Sequence, residues 1–293
     1  MDTSPAHLLP GVGPDATVLF AHAHPDDETL VTGATMAAYA AAGARVVLLT
    51  STRGELGEVI PPELVHLEVG RAAAESGTPA DGTGLARVRE RELAAALAAL
   101  GVREHIWLGQ GPAAPESGPV TFRDSGMQWG PDGRAMAAGT VLPGSLSRTP
   151  LAELAALAAR AIRDVRPDAV VTYAADGGYG HPDHVRTHDL VMAALALAET
   201  PADGQDAWTV PHVFAIVSDR PERPLEPGVP RIAVHGDTDA KTEAMRAHRT
   251  QITVAGDRYA LSDDVWKDIS GIEEFVDASA APGEGRNGGD RNE

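Results

Sequence analysis

Thr17-Val18-Leu19-Phe20-Ala21-His22-Ala23-His24-Pro25-Asp26-Asp27-Glu28 is an apolar run that turns abruptly into imidazoles, a proline and three carboxylates. Its first residues have the branched, apolar composition of a buried strand, and the periodic segment Leu30 to Ala42 reads as a helix. The octet Ala21 to Glu28 is therefore a strand-to-helix loop, and loops on rigid scaffolds are where chemistry is usually placed. Pro25 keeps this loop out of ordinary helix interior. His24 and Asp27, three apart across the turn that Pro25 begins, can aim a ring nitrogen and a carboxylate oxygen at one point, as metal ligands do.

A second cluster of the same kind, Gly177-Gly178-Tyr179-Gly180-His181-Pro182-Asp183-His184, again follows an apolar run, Ala169-Val170-Val171-Thr172-Tyr173. Between the two, Gly43 reads as a helix C-cap and Arg45 to Thr50 as a second strand, giving a β-α-β unit. A helix over Leu85 to Leu100, a strand over His105 to Leu108 and a helix over Leu151 to Val165 follow. Beyond the second cluster come a helix from Val185 to Ala198, strands over Thr209 to Val217 and Ile232 to His235, and a helix over Thr238 to Arg249. The turn-rich segment 76–84 is expected to be mobile, and the Gly- and Pro-rich stretch 109–143 to form a lid or wall.

This alternation predicts an α/β fold: a Rossmann-like, doubly wound, mainly parallel sheet with a small C-terminal α+β extension. Residues 1–15 are expected to be a flexible N-terminus, 16–276 a single α/β domain and 277–293 a disordered tail. In the strand order 3-2-1-4-5, strands one and four are neighbours, and their carboxyl-end loops flank the crevice where such sheets bind ligands. Both clusters follow those strands. Topology alone thus brings His24 and Asp27 towards His184. Two imidazoles and a carboxylate with an open position describe a catalytic zinc-type site, whose metal lowers the pKa of its water and polarises a carbonyl.

Composition narrows the field. Cysteine is absent, so any metal must sit on His, Asp or Glu, and thiol chemistry is excluded. A net charge of −18 and an aromatic content of 4% argue against nucleic acid as a partner. No apolar run approaches the roughly 20 residues of a membrane span, and Met1 to Asp15 does not read as a signal peptide, so a cytoplasmic location is expected. Gly11 to Ala16 imitates a dinucleotide fingerprint but precedes its strand, where such a loop has no function.

The motifs Ala-His-Pro-Asp-Asp-Glu and Gly-Gly-Tyr-Gly-His-Pro-Asp-His resemble those of the LmbE-like (PIG-L) metal-dependent N-acetylglucosamine de-N-acetylases. The resemblance runs from about Thr17 to Val217, with a weaker echo from Ala240 to Leu261, and takes in Gly54 to Ile60, Arg123 to Met127 and Ala247 to Gln251. It implies one divalent metal, zinc or ferrous iron, held by His24, Asp27 and His184. It also implies Asp26 as general base, with His181 and Tyr179 stabilising the oxyanion. Arg89, Asp124 and Glu58 correspond to sugar-contacting positions. The implied substrate is a small pseudodisaccharide, N-acetylglucosaminyl-inositol, as in the branch of the family that serves mycothiol biosynthesis. The alternatives are a mycothiol S-conjugate amidase or deacetylation of another N-acetylglucosamine-containing molecule.

Several residues carry two readings. Asp26 or Asp27 also suits a helix N-cap, and Arg89 also suits an i,i+3 partner of Glu92. Glu58 and Asp124 also read as ordinary loop carboxylates, and His181 and Tyr179 as shapers of a Gly-rich turn. His22 either orients a ligand from beneath or is an ordinary buried histidine, and His188 either supports the site or lies on the surface. The role of His248 and the oligomeric state stay open. A sugar-binding module would lack one of the base, ligands or oxyanion donors, and a nucleotide enzyme would need glycines where Pro25-Asp26-Asp27 stands.

Overall fold

The computed structural model describes residues 8–70, 81–139, 141–218, 225 and 228–279. In chain order the elements that place the site are β1 (Thr17–His22), α1 (Asp27–Ala42), β2 (Arg45–Thr50), α2 (Thr83–Ala99) and β3 (Glu104–Trp107). They continue with β4 (Met127–Trp129), β5 (Ala135–Ala137), α3 (Leu151–Val165), β6 (Ala169–Tyr173), α4 (Pro182–Ala198) and β7 (His212–Ile216). The C-terminal part holds β8 (Ile232–His235), α5 (Thr238–Ala247), β9 (Thr253–Ala255), β10 (Arg258–Ala260), β11 (Lys267–Asp268) and β12 (Ile272–Asp277).

Seven strands form one sheet in the order β3-β2-β1-β6-β7-β12-β8. The first five are parallel neighbours, and β1 lies between β2 and β6 with Phe20 level with both Leu48 and Val171. β12 runs antiparallel to both β7 and β8, so the sheet is mixed at that edge. Successive β1 residues point to opposite faces. Val18 and Phe20 join Met36, Tyr39, Leu93 and Phe275 in one buried layer, while Leu19 and Ala21 join Leu154, Leu157 and Leu190 in the other. Both faces are covered by helices, which is why these strands read as unbroken apolar runs.

The α/β expectation holds, with corrections at the ends and in the loops. Residues 8–15 do not hang free: Leu9 and Val12 are buried, the Leu9 amide donates to the Tyr39 hydroxyl (3.0 Å), and that hydroxyl donates to the Val12 carbonyl (3.2 Å). At the other end β12 continues through Asp277, and the Ala278 amide donates to the Val213 carbonyl (2.8 Å). The rest of both termini, and residues 71–80, which include the first five residues of the segment 76–84 expected to be mobile, lie outside the described residues. Within 109–143 a hairpin of β4 and β5 forms a wall, tied to the second cluster by the Ala135 amide donating to the Tyr179 carbonyl (3.0 Å). Strands β9 to β12 carry no clear periodicity and were not anticipated.

The C-terminal extension locks onto α1. Glu273, 1% exposed, accepts the Ala34 and Thr35 amides (3.1 and 2.9 Å) and the Lys241 ammonium (2.7 Å). The Asp237 amide donates to the Ala34 carbonyl (3.0 Å), and Gly236 lies so close that a Cβ there would stand 2.2 Å from the Ala34 carbonyl carbon and oxygen. Backbone against backbone has no side chain to swing away. Gly236→Ala should therefore destabilise the fold by about 3 kcal/mol or more, whereas Gly13→Ala, with nothing within 4 Å, should be close to neutral. Urea unfolding of the two variants checks this; equal midpoints would contradict the packing described.

Candidate active site

The loops after β1 and β6 meet at the carboxyl edge of the sheet. The turn at Pro25 and Asp26 starts α1 directly, so Asp27 and Glu28 occupy its first turn, where the positive end of the helix favours carboxylates. Likewise His181 caps α4, its Nδ1 accepting the Asp183 amide (3.1 Å), and Pro182 opens that helix. Asp26 is neither a cap by its side chain nor relaxed: its φ of 117° lies outside the ordinary region for a non-glycine residue. Such a conformation costs about 1–3 kcal/mol and persists only where neighbours enforce it.

Asp27 stands at the centre. Its Oδ2 accepts the Tyr173 hydroxyl (2.7 Å) and the His24 amide (3.0 Å) and lies 3.3 Å from His24 Nδ1; its Oδ1 lies 3.3 Å from His184 Nε2. Burial by itself would raise the Asp27 pKa, but the His184 and His24 rings outweigh it and hold the carboxyl well below its ordinary value. Burial also works against charge on His24, yet Asp183 (3.3 Å from Nε2) and Asp27 raise its pKa well above the usual value. Asp27 is thus an ionised acceptor between two imidazoles.

The residues fit a divalent cation. Both ring nitrogens of His184 are buried without a hydrogen-bond partner, although its Nε2 faces Asp27, an arrangement that asks for an electrophile. The donor atoms of His24, His181 and His184 lie within 4.8 Å of one another, and Asp27 stands outside that group, 3.3 Å from a ring nitrogen of His24 and 3.3 Å from one of His184. A second group, His24 with Asp124 and Asp183, is equally close, but its carboxylates are already hydrogen-bonded. Asp183 accepts the Ser125 amide (2.9 Å) and hydroxyl, and Asp124 accepts the Gly126 and Leu56 amides (2.7 and 3.2 Å).

Asp26 lies beside this cluster. Burial and the neighbouring Asp27 push its pKa up to about 8 in the absence of a cation. Burial, followed by the charges of His24 and His184, lowers the His181 pKa well below its ordinary value. Since His181 Nδ1 accepts an N–H, the proton of the neutral ring sits on Nε2, where it can be donated. The Tyr179 ring stands 5.1 Å from the His184 ring and 6.1 Å from that of His181.

His24, Asp26, Asp27, Glu58, Arg89, Asp124, Tyr179, His181 and His184, nine positions named from sequence, all line one cavity of about 1020 Å³. Arg89 does not pair with Glu92, whose carboxylate instead accepts the amide and hydroxyl of Thr250. Its guanidinium, buried, donates to the carbonyls of Gly54 and Glu58, and so holds the loop that walls the cavity. Glu58 presents an exposed side chain at the rim.

Sequence reasoning passed over the residues that hold the expected ligand side chains in place. Tyr173, at the end of β6, donates to Asp27, and burial followed by the Asp27 charge raises its pKa so that it stays a donor. Asp183 fixes His24, although it lay within the quoted His-Pro-Asp-His motif. His22 is buried and its pKa is lowered to about 4 by burial; its Nε2 donates to Thr32 (2.9 Å), whose hydroxyl donates to the Glu28 carbonyl (2.8 Å). His188 Nδ1 donates to the Tyr173 carbonyl (2.8 Å), supporting the same strand end.

Comparison with known proteins gives consistent findings. Residues 19–195 match the profile of the GlcNAc-PI de-N-acetylase family, PIG-L. A 1D-myo-inositol 2-acetamido-2-deoxy-alpha-D-glucopyranoside deacetylase of Kineococcus radiotolerans is 44% identical over 270 residues, covering 81% of this chain and 69% of the relative. A protein of the same name from Thermobifida fusca is 39% identical over 291 residues, covering 89% and 92%. Among solved structures, the N,N'-diacetylchitobiose deacetylase of Pyrococcus horikoshii superposes with a TM-score of 0.52 at 19% identity, over 80% of this chain and 70% of that one.

The roles expected of the neighbouring aspartates, ligand for Asp27 and base for Asp26, are separable by experiment. Asp27→Asn should strip the purified protein of bound metal. Asp26→Asn should keep its metal and lose amide-hydrolysing turnover by about 10²–10⁴-fold, the usual worth of a general base. Elemental analysis beside initial rates decides; equal metal loss in the two variants would mean that ligand and base are exchanged.

Proposed function

The chain belongs to the GlcNAc-PI de-N-acetylase family, and from that premise we propose that it hydrolyses the acetamide of N-acetylglucosaminyl-inositol, releasing acetate and glucosaminyl-inositol for mycothiol biosynthesis. It is an amide hydrolase, and relatives 44% and 39% identical to it over the aligned 270 and 291 residues bear the name of that deacetylase. The observation that carries the chemistry is the His184 imidazole, buried with both nitrogens unpartnered, facing Asp27 and beside Asp26.

His24, Asp27 and His184 would hold the ion, proposed to be zinc, with ferrous iron suited to the same donors. Once bound, the ion lowers the pKa of water and polarises the acetyl carbonyl. Asp26 accepts a proton from the attacking water and delivers it to the departing amine as the C–N bond breaks. The water oxygen ends in acetate. Nε2–H of His181 and the Tyr179 hydroxyl donate to the oxyanion of the tetrahedral intermediate. Arg89, through the loop it clamps, and Asp124 and Glu58, directly, shape the cavity for the sugar hydroxyls. No helix among the described residues is long and apolar enough to cross a membrane, and we place the reaction in the cytoplasm.

Release of free amine from N-acetylglucosaminyl-inositol by metal-stripped protein, before and after adding zinc or ferrous iron, tests the proposal. Activity should return with a divalent ion. A clear preference for a mycothiol S-conjugate over the acetylated sugar would instead assign the amidase reaction, against which the absence of lysine in Thr29 to Thr32 speaks by resemblance.

The pH dependence has a defined sign. Asp26 acts as a base only when ionised, so kcat/KM rises as pH climbs through its pKa. A cation on the adjacent ligands brings that pKa below the value of about 8 that burial and Asp27 impose without one. Loss of the donor protons closes the alkaline side, giving a bell whose two limbs belong to the coupled group. Asp26→Asn should abolish the acid limb; a flat profile in the unaltered enzyme would contradict acid–base control.

A further inference from the structure

We infer that Glu28 and His248 are positioning residues for Asp26: a buried bridge by which the C-terminal extension holds the catalytic carboxylate in its strained conformation. The inference rests on the reading of Asp26 as the base.

Among the described non-glycine residues with positive φ, Arg166, Asp203 and Asp264 sit at 53–56°, in the ordinary left-handed region, whereas Asp26 stands apart at 117°. Something must oppose its relaxation. The Asp26 carbonyl is engaged by the Thr29 and Leu30 amides (3.0 and 2.9 Å) at the start of α1. The Asp26 amide donates to Glu28 Oε2 (3.0 Å). The other oxygen of that carboxylate, Oε1, accepts His248 Nε2 (2.8 Å) and the Thr29 hydroxyl (2.6 Å). Glu28 and His248 are both fully buried and lie 220 positions apart in the chain. The contact therefore ties two distant segments at the peptide whose geometry aims the base.

The same C-terminal turn grips this loop elsewhere. Gln251 Nε2 donates to the Pro25 carbonyl (2.6 Å), and the Thr250 amide donates to Glu92 (2.9 Å). The His248 carbonyl accepts the Gln251 and Ile252 amides (2.9 and 2.8 Å), which makes the turn rigid. Neither Glu28 nor His248 lines the cavity that Asp26 and Gln251 face. They stand outside the cavity and act on the base through its backbone amide, and their charges also reach its carboxyl, His248 lowering its pKa and Glu28 raising it. A displacement of the order of 1 Å at a reacting group costs about 10²-fold in rate.

Two variants break the bridge in different ways. His248→Ala removes the donor, and His248→Gln restores one; Glu28→Asp keeps a buried carboxylate but shortens its reach, so it cannot serve both Asp26 and His248. His248→Ala and Glu28→Asp should lower kcat by about 100-fold and at least tenfold respectively, with KM and bound metal within about threefold of the parent. His248→Gln should recover most of the loss. In metal-free protein, hydrogen exchange at the Asp26 amide should quicken about tenfold in Glu28→Asp, a readout that needs no turnover. Introduced into Asp26→Asn, the same changes should cost less than about threefold more, since the group they position is gone.

Losses of equal size in the parent and in the Asp26→Asn background would overturn the inference, as would a folded, metal-loaded His248→Ala enzyme with unchanged kcat. If His248→Ala does not fold, Glu28→Asp in the two backgrounds decides alone. Should Asp26→Asn itself retain full turnover, the assignment of the base fails instead, and the amide-exchange result still reports whether the bridge holds that peptide.

Discussion

Parallel pairing of β1 with β2 on one side and β6 on the other is the constraint from which the rest follows. β1 is buried along nearly its whole length, so its chain leaves the apolar layers only at the carboxyl end, next to the end of β6. The loops beyond them have nowhere to go but towards each other, and the His24 and His184 rings end 5.4 Å apart. Two apolar layers beneath supply a dry floor, which strengthens every charge interaction set above it.

That strength cuts both ways, because each buried ion costs several kcal/mol unless its neighbours compensate. The compensation here is collective. Asp27 has Tyr173 and two imidazoles, Asp183 has Ser125 and His24, Glu28 has His248 and Thr29, and Glu273 has Lys241 and two helix amides. His184 makes no hydrogen bond with either nitrogen, although its Nε2 lies 3.3 Å from Asp27 Oδ1, where a cation would be wanted; Arg89 Nε, Glu55 Oε2 and His248 Nδ1 are likewise buried without a partner. The hydrogen bonds that Tyr173, Asp183 and Ser125 already make hold the side chains proposed as ligands before any ion arrives.

The C-terminal extension is part of this arrangement and not an appendage. It adds β12 and β8 to the sheet edge, plants Glu273 against the middle of α1, and sends His248 to Glu28 at the start of the same helix. Tyr259, Leu261, Ser262 and Lys267 of the same region also line the far side of the cavity. The helix that Asp26 precedes and Asp27 opens is thereby fixed at both its first turn and its centre.

The sequence by itself determined the alternation of strands and helices and the two polar loops, because apolar periodicity and the proline-interrupted acid-and-histidine runs are local signals; the order of the first five strands is the common one for such alternation, and the sheet adopts it. Helix ends moved by a few residues: α4 begins at Pro182 and not Val185, since His181 caps it with its own ring. What is non-local was invisible. Tyr173 looked like the last residue of a strand, Glu28 like a helix-end carboxylate, and His248 like a residue without a task. Their partners lie 146 and 220 positions away, and no spacing rule reaches that far. The packing of Leu9 and Val12 under Tyr39, and the β12 edge, likewise exist only once the core is assembled. Local chemistry named the groups proposed to react; long-range packing decided which buried partners hold them, because a charge in a dry interior takes its properties from whatever the fold sets beside it.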